Sequence, residues 1–341
     1  MQTRVTLKDL ASELGLSVQA VSLALRNRDG VSEQTRARVK IKAAERGYVP
    51  DPGMRALADY RTRGKKTVTR WNRVALVHNW ESEKSWKSNL FYQRWFSELK
   101  CAAEKRGIGI ETHWLGSQGE RSSMVFRKLR SRGITGVFIA PPGMSPNPPQ
   151  LEIPQDSPFQ VVSFGPEDLY PQFHTVQFDF YGNLRLAWRV LYERGYKRIG
   201  LVYSKYQGWR TGHAWLAAYQ IEKMQRGCPP GRCMPLELEE HSVAELRKLY
   251  LNWLKRGTYD AVISSLDWVD PLHRELGLQI PVALFNVRHS DRMGIDLNLG
   301  QMSETAMELL VLEMQRSLVR EQSLPFRVHI PGRWVESATS D

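Results

Sequence analysis

The chain has 341 residues, of which 42% are hydrophobic and 25% are charged, a composition typical of a globular protein with two or three domains. It contains no apolar run near the roughly 20 residues that a membrane-spanning helix needs, and no secretion signal at its start. We therefore expect a cytoplasmic protein with no membrane partner. Cys101, Cys228 and Cys233 are too few and too unevenly spaced for a disulfide framework or a zinc site, so we expect no metal.

The net charge of +12 is concentrated near the N-terminus. Residues 1–70 contain 15 Lys and Arg against 7 Asp and Glu, so this segment carries +8 of the total. A basic segment attracts a polyanion and releases its counterions on binding. A solvated charged face is the alternative, and it explains scattered charge better than it explains this concentration.

The stretch VTLKDLASELGLSVQAVSLAL, residues 5–25, predicts two short helices joined by a tight turn. Thr6 and Asp9 have the spacing of a capping box, Gly15 suits the helix end, and Ser17 is a suitable cap for the second helix. One face of the first helix is apolar and consists of Leu7, Leu10, Ala11 and Leu14. The pattern is that of a helix-turn-helix, whose second helix enters the DNA major groove, although an ordinary helical hairpin remains the alternative.

A third helix is predicted after a polar turn. Ser32 is its cap, Gly47 its end, and its apolar stripe is formed by Val39, Ala43 and Ala44. In the second helix, the apolar face consists of Val21, Ala24 and Leu25. The outward-facing residues of the second helix are Val18, Gln19, Ala20, Ser22 and Leu23. Candidate phosphate contacts on the third helix are Arg36, Arg38, Lys40, Lys42 and Arg46.

The segment after residue 50 predicts a conditional hinge helix. Asp51 can cap it, and Pro52 suits its first position. The one or two turns between Met54 and Tyr60 are too short to be stable alone, so we expect them to order only with a partner chain and DNA. Residues 61–70 form a basic linker. The predicted domains are therefore 1–50, 51–70 and 71–341.

From residue 73 onward, the sequence pattern alternates between apolar strands and helices. Strands are predicted at 74–77, 108–112, 136–140 and 159–164, with helices at 89–105 and 124–132. The rhythm then repeats, with helices at 184–194, 212–226, 243–256 and 303–318 and strands at 199–203, 235–238, 261–264 and 282–285. Such βαβ repeats predict two doubly wound parallel sheets, and the cleft between two such lobes is a favoured ligand site.

The head and hinge sequences, VTLKDLASELGLSVQAVSLAL and VSEQTRARVKIKAAERGYVPDPGMRAL, resemble those of the LacI/GalR family of bacterial transcription regulators nearly position for position. The segments GYKRIGLVYS, YDAVISSLD and IPGRWVESAT resemble the family's body more loosely. The resemblance implies an all-α helix-turn-helix head and an α/β body of two Rossmann-like lobes, similar to periplasmic binding proteins, with a cleft. Asp179, in QFDFYGN, would lie in a crossover between the lobes, with a structural or pocket role.

By position, the resemblance implies base reading by Val18, Gln19 and Ser22, with Leu23 beside them. Many family members have an arginine where this chain has Leu23, so operator preference is expected to differ there. Leu57 matches the leucine that the family inserts into the minor groove. The full DNA-binding set is Thr6, Ser17, Val18, Gln19, Ala20, Ser22, Leu23, Asn27, Arg28, Ser32, Tyr48, Met54 and Leu57.

The expected effector site lies between the lobes, at the loops that follow the strands. Its candidate residues are Asn79, Trp80, Asn89, Phe91, Tyr92, Trp209, Arg210, Asp267, Trp268 and Asn286. Aromatic faces with a few polar groups suit a sugar or a sugar derivative, and Arg210 could equally hold an acidic or phosphorylated ligand. The chain departs from the family at Leu266, Asn286 and Thr211, so the pocket is expected to be retuned.

The resulting expectation is a sequence-specific DNA-binding regulator, a repressor, whose operator affinity is controlled by a small-molecule effector such as a carbohydrate. It would act in the cytoplasm, at the nucleoid, as a homodimer on a pseudo-palindromic operator, without a cofactor. No long heptad repeat follows Leu318, which favours a dimer over a tetramer. A transport-type solute receptor is a second hypothesis, disfavoured by the basic head. An enzyme is a third, disfavoured because no P-loop, nucleophile elbow or metal-spaced His cluster is present, so no catalytic residue is predicted.

Overall fold

The computed structural model describes residues 5–25, 30–46, 48, 73–115, 121–143, 152, 158–226, 233–239, 241–287, 291–317 and 324–337. The chain divides into two compact units, Met1–Thr69 and Arg70–Asp341. The hinge and linker at 51–70, with Met54 and Leu57, lie outside the described residues, as do Asn27 and Arg28. The predicted division into 1–50, 51–70 and 71–341 therefore stays a prediction.

The described part of the first unit is a three-helix head, with α1 at Leu7–Leu14, α2 at Val18–Leu25 and α3 at Glu33–Glu45. Its core is made of six small or medium-sized apolar side chains, namely Leu10, Ala11, Val21, Ala24, Val39 and Ala43. The apolar periodicity predicted all six of these buried positions. The prediction of Ala44 in the stripe was wrong: it is exposed, because it lies about 100° around the helix from buried Ala43.

The first lobe of the second unit is built on a parallel sheet in the order β11-β5-β4-β3-β1-β2. Its strands are β1 at Arg73–His78, β2 at Gly109–Trp114, β3 at Gly136–Ile139, β4 at Gln160–Ser163, β5 at His174–Phe178 and β11 at Arg327–Ile330. Its helices are α4 at Leu90–Glu104, α5 at Ser122–Ser131 and α11 at Leu299–Ser317. Helices α4 and α11 pack together on one face, and α5 covers the other.

The second lobe repeats this arrangement, with the strand order β12-β10-β9-β8-β6-β7. Its strands are β6 at Ile199–Ser204, β7 at Leu236–Leu238, β8 at Ala261–Ser264, β9 at Val282–Leu284, β10 at Met293–Asp296 and β12 at Arg333–Val335. Its helices are α6 at Phe180–Glu193, α7 at Lys205–Arg210, α8 at Ala214–Gln225, α9 at Val243–Gly257 and α10 at Val269–Glu275. Only β12 runs antiparallel to its neighbour. The predicted pair of doubly wound lobes is thereby confirmed.

The chain crosses between the lobes three times, at 178–180, 296–299 and 330–333. At the first crossing, Asp179 caps α6 by accepting a hydrogen bond from the Gly182 amide at 2.8 Å. The Asp179 amide donates to the Ile330 carbonyl at 2.9 Å, which ties the first crossing to the third. The Gly332 amide donates to the Asn183 side chain at 2.8 Å and adds a second tie. Asp179 therefore has the structural role that its position in the crossover suggested.

The structure corrects one predicted helix boundary and contains four strands that were not predicted. The helix predicted at 212–226 begins two residues later, at Ala214, because Gly212 and His213 both have the left-handed conformation, and the separate helix α7 precedes them. Four strands, β5, β10, β11 and β12, carry no clear apolar pattern in the sequence. They contain three to five residues each, and β11 and β12 lie at sheet edges, where fewer side chains are buried.

None of the described helices combines the length and the apolar content that crossing a bilayer would require.

Candidate functional site

The helices of the head are fixed by local hydrogen bonds from three of the predicted DNA-binding residues. Thr6 and Asp9 form a reciprocal capping box: the Thr6 amide donates to the Asp9 carboxylate at 2.8 Å, and the Asp9 amide donates to the Thr6 hydroxyl at 3.3 Å. Ser17 accepts from the Ala20 amide at 3.1 Å, and Ser32 caps α3 in the same way. Each cap satisfies a backbone donor that would otherwise lack a partner.

The outer face of α2 carries no charged side chain. Val18 and Gln19 are exposed, and Ala20, Ser22 and Leu23 are half-buried. Leu23 lies against the turn before α3, since its Cδ1 atom is 3.5 Å from the position that a Cβ atom on Gly30 would occupy. A groove-facing helix of this kind can read bases only through an amide, a hydroxyl and apolar contacts.

The basic residues of α3 differ in how much of their charge is already paired. Lys42 and Arg46 both contact the Glu13 carboxylate, at 3.5 and 3.0 Å. Arg38 and Lys40 are exposed and form no ion pair among the described residues. These two are therefore the freer candidates for phosphate contacts. Tyr48 is half-buried against the head core, and its amide donates to the Ala43 carbonyl at 2.9 Å.

In the second unit, a cavity lies between the two lobes, beyond the carboxyl ends of β3, β4 and β5. The space between the protein atoms there is about 310 Å³ and includes open solvent. Its lining consists of Phe91, Pro141, Phe164, Gly165, Val176, Gln177, Phe178, Phe180, Arg210 and Met302. Four phenylalanine rings and one charged side chain thus dominate its chemistry.

A continuous series of ring contacts, which we call the aromatic chain, runs from the second lobe through the first crossing into the first lobe. Its members in order are Phe285, Trp215, Phe180, Phe178, Phe91, Tyr92, Trp80 and His78, with successive centroids 4.3 to 6.1 Å apart. Trp215 and Phe285 stack in parallel, and most of the other pairs meet edge to face or tilted. Both arrangements are favourable for aromatic pairs.

The second lobe reaches across the cavity through α7. Tyr206 and Arg210 are four residues apart on this helix and therefore share a face. The Tyr206 hydroxyl donates to the Gly143 carbonyl in the loop after β3, and burial raises the pKa of Tyr206, which keeps it protonated. The Arg210 guanidinium lies 5.5 Å from the ring centroid of Phe91 and donates to the Tyr92 hydroxyl at 3.4 Å.

His78 ends β1 and is almost completely buried, at 1% exposure. Neither of its ring nitrogens has a hydrogen-bond partner among the described residues. Burial, with a smaller contribution from the charge of His113, lowers the pKa of His78 to about 4. The imidazole is therefore neutral at pH 7 and acts as a ring against Trp80.

Of the ten predicted effector residues, the structure brings only Phe91 and Arg210 to the cavity lining. Trp80 and Tyr92 lie directly behind it, where they donate to the carbonyls of Pro141 and Pro142 at 2.6 and 2.8 Å. Their hydrogen-bonding groups thus fix the loop that follows β3.

The other predicted residues are engaged elsewhere or stand apart from the lining. Asn89 caps α4, accepting from the Phe91 amide at 2.9 Å, and Trp209 packs on Tyr206. Trp268 contacts Tyr250 in the core beneath α9 and α10. The remaining three, Asn79, Asp267 and Asn286, follow β1, β8 and β9 and are half-buried or exposed.

Several lining residues were missed by the sequence reasoning. Phe164 and Gly165 follow β4, and Phe178 and Phe180 bracket the first crossing. The alternation of aromatic and polar residues in QFDFYGN was the available signal for the crossing. Met302, on α11, had no signal, because its position depends on the return of the chain to the first lobe.

Comparison with known proteins identifies close similarity in the head and a wider likeness in the whole chain. Residues 6–51 match the family model described as "Bacterial regulatory proteins, lacI family". The HTH-type transcriptional repressor CytR of Escherichia coli is 27% identical over 207 residues, which cover 59% of this chain and 54% of that protein. The HTH-type transcriptional regulator AglR of Rhizobium meliloti is 30% identical over 206 residues, covering 58% and 52%. The matched region thus spans about half the length of these curated relatives.

Two solved structures resemble the chain over nearly its full length. A complex of the transcriptional regulator CelR with cellobiose has a TM-score of 0.55 and 22% identity, and covers 98% of this chain and 99% of its own. The lac repressor dimer bound to operator and the anti-inducer ONPF has a TM-score of 0.57 and 16% identity, with 98% of each chain covered. At these identities the likeness establishes the fold.

Proposed function

Because this chain belongs to the LacI/GalR family of bacterial transcription regulators, we propose that it is a sequence-specific DNA-binding repressor controlled by a small-molecule effector. The effector is a carbohydrate or a carbohydrate derivative bound between the lobes. The observation that carries the proposal is the head: three capped helices matching the family model over residues 6–51, with the uncharged outer face of α2 presented to solvent.

In the proposed DNA complex, α2 contacts the bases and α3 contacts the phosphates. Gln19 is exposed near the start of α2, and its carboxamide can pair with adenine at N6 and N7 in the major groove. Leu23 has no hydrogen-bonding group, so it would favour a thymine methyl over a guanine. Arg38 and Lys40 supply phosphate contacts, which position the head without reading sequence. Asn27 and Arg28, which lie outside the described residues, belong to the proposed set of DNA contacts by sequence position.

Control by an effector would act through the body. A ligand that binds one inter-lobe angle better than another shifts the population toward that angle. The three crossings link the lobes, so a ligand in the cleft would act on the angle between them. The hinges of the two chains, with Leu57 as a minor-groove wedge, would bind the bent operator in one state of the body and release it in the other. The functional unit is a homodimer on a pseudo-palindrome, in the cytoplasm.

The base-reading role is tested by selecting bound sequences from random DNA with the full chain. Gln19→Ala should lose preference at one position of each half-site, by about 1–3 kcal/mol of discrimination, while nonspecific binding persists. Gln34→Ala is the matched control, since Gln34 is an exposed glutamine on α3. Unchanged selectivity in Gln19→Ala would contradict the proposed role.

The wedge role of Leu57 is tested by the bend angle of the selected operator. Leu57→Ala should reduce the bend, because alanine is too short to unstack a base step. The angle is measured by the electrophoretic mobility of circularly permuted fragments. An unaltered bend would reject the proposed wedge role of Leu57.

The oligomeric state is tested by light scattering. The measured mass should be that of two chains, and a stable tetramer would overturn the predicted dimer.

A further inference from the structure

Among the described residues that line the cavity, Arg210 is the one that carries a charge. It is half-buried at the end of α7, with its guanidinium carbon 5.5 Å from the ring centroid of Phe91 and 5.8 Å from that of Tyr92. Its charge therefore projects from the second lobe toward the aromatic wall of the first. The other nine lining residues are uncharged, and six of them are Phe, Val or Met.

No carboxylate lies within ion-pair distance of Arg210 among the described residues. Several arginines of the same lobe that lie outside the cavity have acidic partners, such as Arg198 with Asp260 at 3.6 Å and Arg185 with Glu222 at 2.6 Å. Arg210 makes no ion pair in the described part of the chain, and its polar contact is with the neutral hydroxyl of Tyr92. The Glu81 carboxylate, which contributes to the raised pKa of Tyr206, is exposed and does not pair with Arg210.

A partly desolvated cation beside apolar walls needs an opposite charge to offset its loss of hydration. Contact with ring faces compensates in part, and more weakly than an anion would. The planar guanidinium is suited to a carboxylate or a phosphate, which it binds through two parallel hydrogen bonds. Thr211, the neighbouring residue, has its hydroxyl bonded to the Gly208 carbonyl at 3.1 Å, so it does not supply this function.

We propose that the cleft binds an anionic effector, whose carboxylate or phosphate group is held by Arg210 and whose apolar or C–H face lies against Phe91, Phe178 and Phe180. This inference rests on the proposed function, since it names the chemical class of the effector. It narrows a carbohydrate derivative to one that carries a negative charge. The anion takes the Arg210 donor that now faces Tyr92, and Tyr92 retains its bond to the Pro142 carbonyl.

The competing explanation is that Arg210 only clasps the two lobes together. Tyr206, one turn earlier on α7, already makes a contact of that kind with Gly143. A clasp requires the positive charge to meet aromatic rings and predicts no response to small anions. An anion site predicts a saturable response that depends on Arg210, so the two explanations give opposite results in one experiment.

The first test titrates inorganic phosphate into the full chain at constant ionic strength, with chloride as the balancing ion. Tryptophan fluorescence reports on the second unit alone, because all 11 tryptophans lie at residue 71 or later. Wild type should show a saturable change and a rise in Tm. Arg210→Gln should weaken apparent phosphate affinity at least tenfold, and Arg210→Lys should retain an intermediate response. Arg189→Gln, which removes an exposed charge on α6, is the matched control and should respond like wild type.

Absence of a saturable response in wild type, or an equal response in Arg210→Gln, would overturn the proposal. Far-UV circular dichroism checks that each variant is folded, and Arg210→Lys preserves the charge if the glutamine variant is not. A second arm compares glucose, glucose 6-phosphate and glucuronate, and so separates a phosphate from a carboxylate ligand. Glucose binding as tightly as both charged hexoses would also contradict an anionic effector.

The outcomes for DNA and for anions are independent. If wild type shows no sequence-selective DNA binding, the proposed function is overturned, whatever the result of the phosphate titration. Intact DNA selection without a phosphate response would overturn this inference alone.

Discussion

The head and the cleft are both recognition regions, and they are held in shape by contacts of very different range. In the head, the caps of Thr6, Ser17 and Ser32 each join residues three positions apart. In the cleft, Trp80 bonds Pro141 across 61 positions, and Arg210 contacts Tyr92 across 118. The head is therefore specified locally, whereas the cleft depends on the complete folding of both lobes.

The two regions also differ in the size of the buried side chains that stabilise them. The described part of the head buries six apolar side chains, the largest of them a leucine. The cleft rests on the aromatic chain, whose rings continue into the shared core of both lobes. Perturbing one region should leave the other folded if the two units are independent, and Leu10→Ala tests that expectation.

The largest effect is expected for Trp215→Ala in the aromatic chain. Trp215 is buried and stacks on Phe285 with centroids 4.3 Å apart and the planes nearly parallel. Its removal should cost about 3–5 kcal/mol, through lost burial and the cavity left behind. Urea unfolding, followed by the fluorescence of the remaining tryptophans, gives the change in the free energy of unfolding.

Trp86→Ala is the control for this variant, because Trp86 is only partly buried and contacts Phe96 at the surface of the first lobe. It should cost clearly less than Trp215→Ala. Equal losses in the two variants would contradict the view that the aromatic chain is a main support of the cleft.

A slightly smaller effect, about 2–5 kcal/mol, is expected for Leu10→Ala in the head. Leu10 is fully buried, and a core of six side chains has little capacity to compensate. Sequence-selective DNA binding and part of the helical circular dichroism should be lost. The fluorescence transition should keep its midpoint, because no tryptophan precedes residue 71. A matching shift of that midpoint would show that the two units are coupled.

The smallest expected effect is a pH dependence that originates at His78. Because burial lowers its pKa from 6.5 to about 4, the unfolded chain binds the proton more readily between those values. The free energy of unfolding therefore has its full value, as far as His78 is concerned, above pH 6.5. It falls by up to about 3 kcal/mol as the pH approaches 4. His174 and His273 shift in the same direction, so the measurement is the difference from His78→Phe, which keeps a ring against Trp80. Identical pH profiles for the two proteins would contradict the assignment.

The contrast in range explains what the sequence could predict. The caps at Thr6, Ser17 and Ser32 and the turn at Gly15 are local patterns, and the structure confirms each of them. The parallel strands with continuous apolar runs, such as β1 and β3, were also predictable, since both of their faces are buried.

The cleft was predictable only in outline, because proximity to a strand end does not determine direction. Asn89 and Trp268 both lie near the expected edge, yet the first caps a helix and the second packs under α9. Phe164 and Met302 line the cavity although 138 positions separate them, and no local pattern joins them. Arg210 was predicted because it follows the apolar strand that ends near Tyr203, which is again a local signal.

The most direct test of the central claim is the affinity of the full chain for its selected operator relative to a scrambled duplex of equal length. Both affinities are measured by fluorescence anisotropy at one fixed salt concentration, because phosphate contacts alone give salt-dependent binding to any DNA. A sequence-specific regulator should prefer the operator by about 10³-fold or more. Equal affinity for the two duplexes would contradict the account.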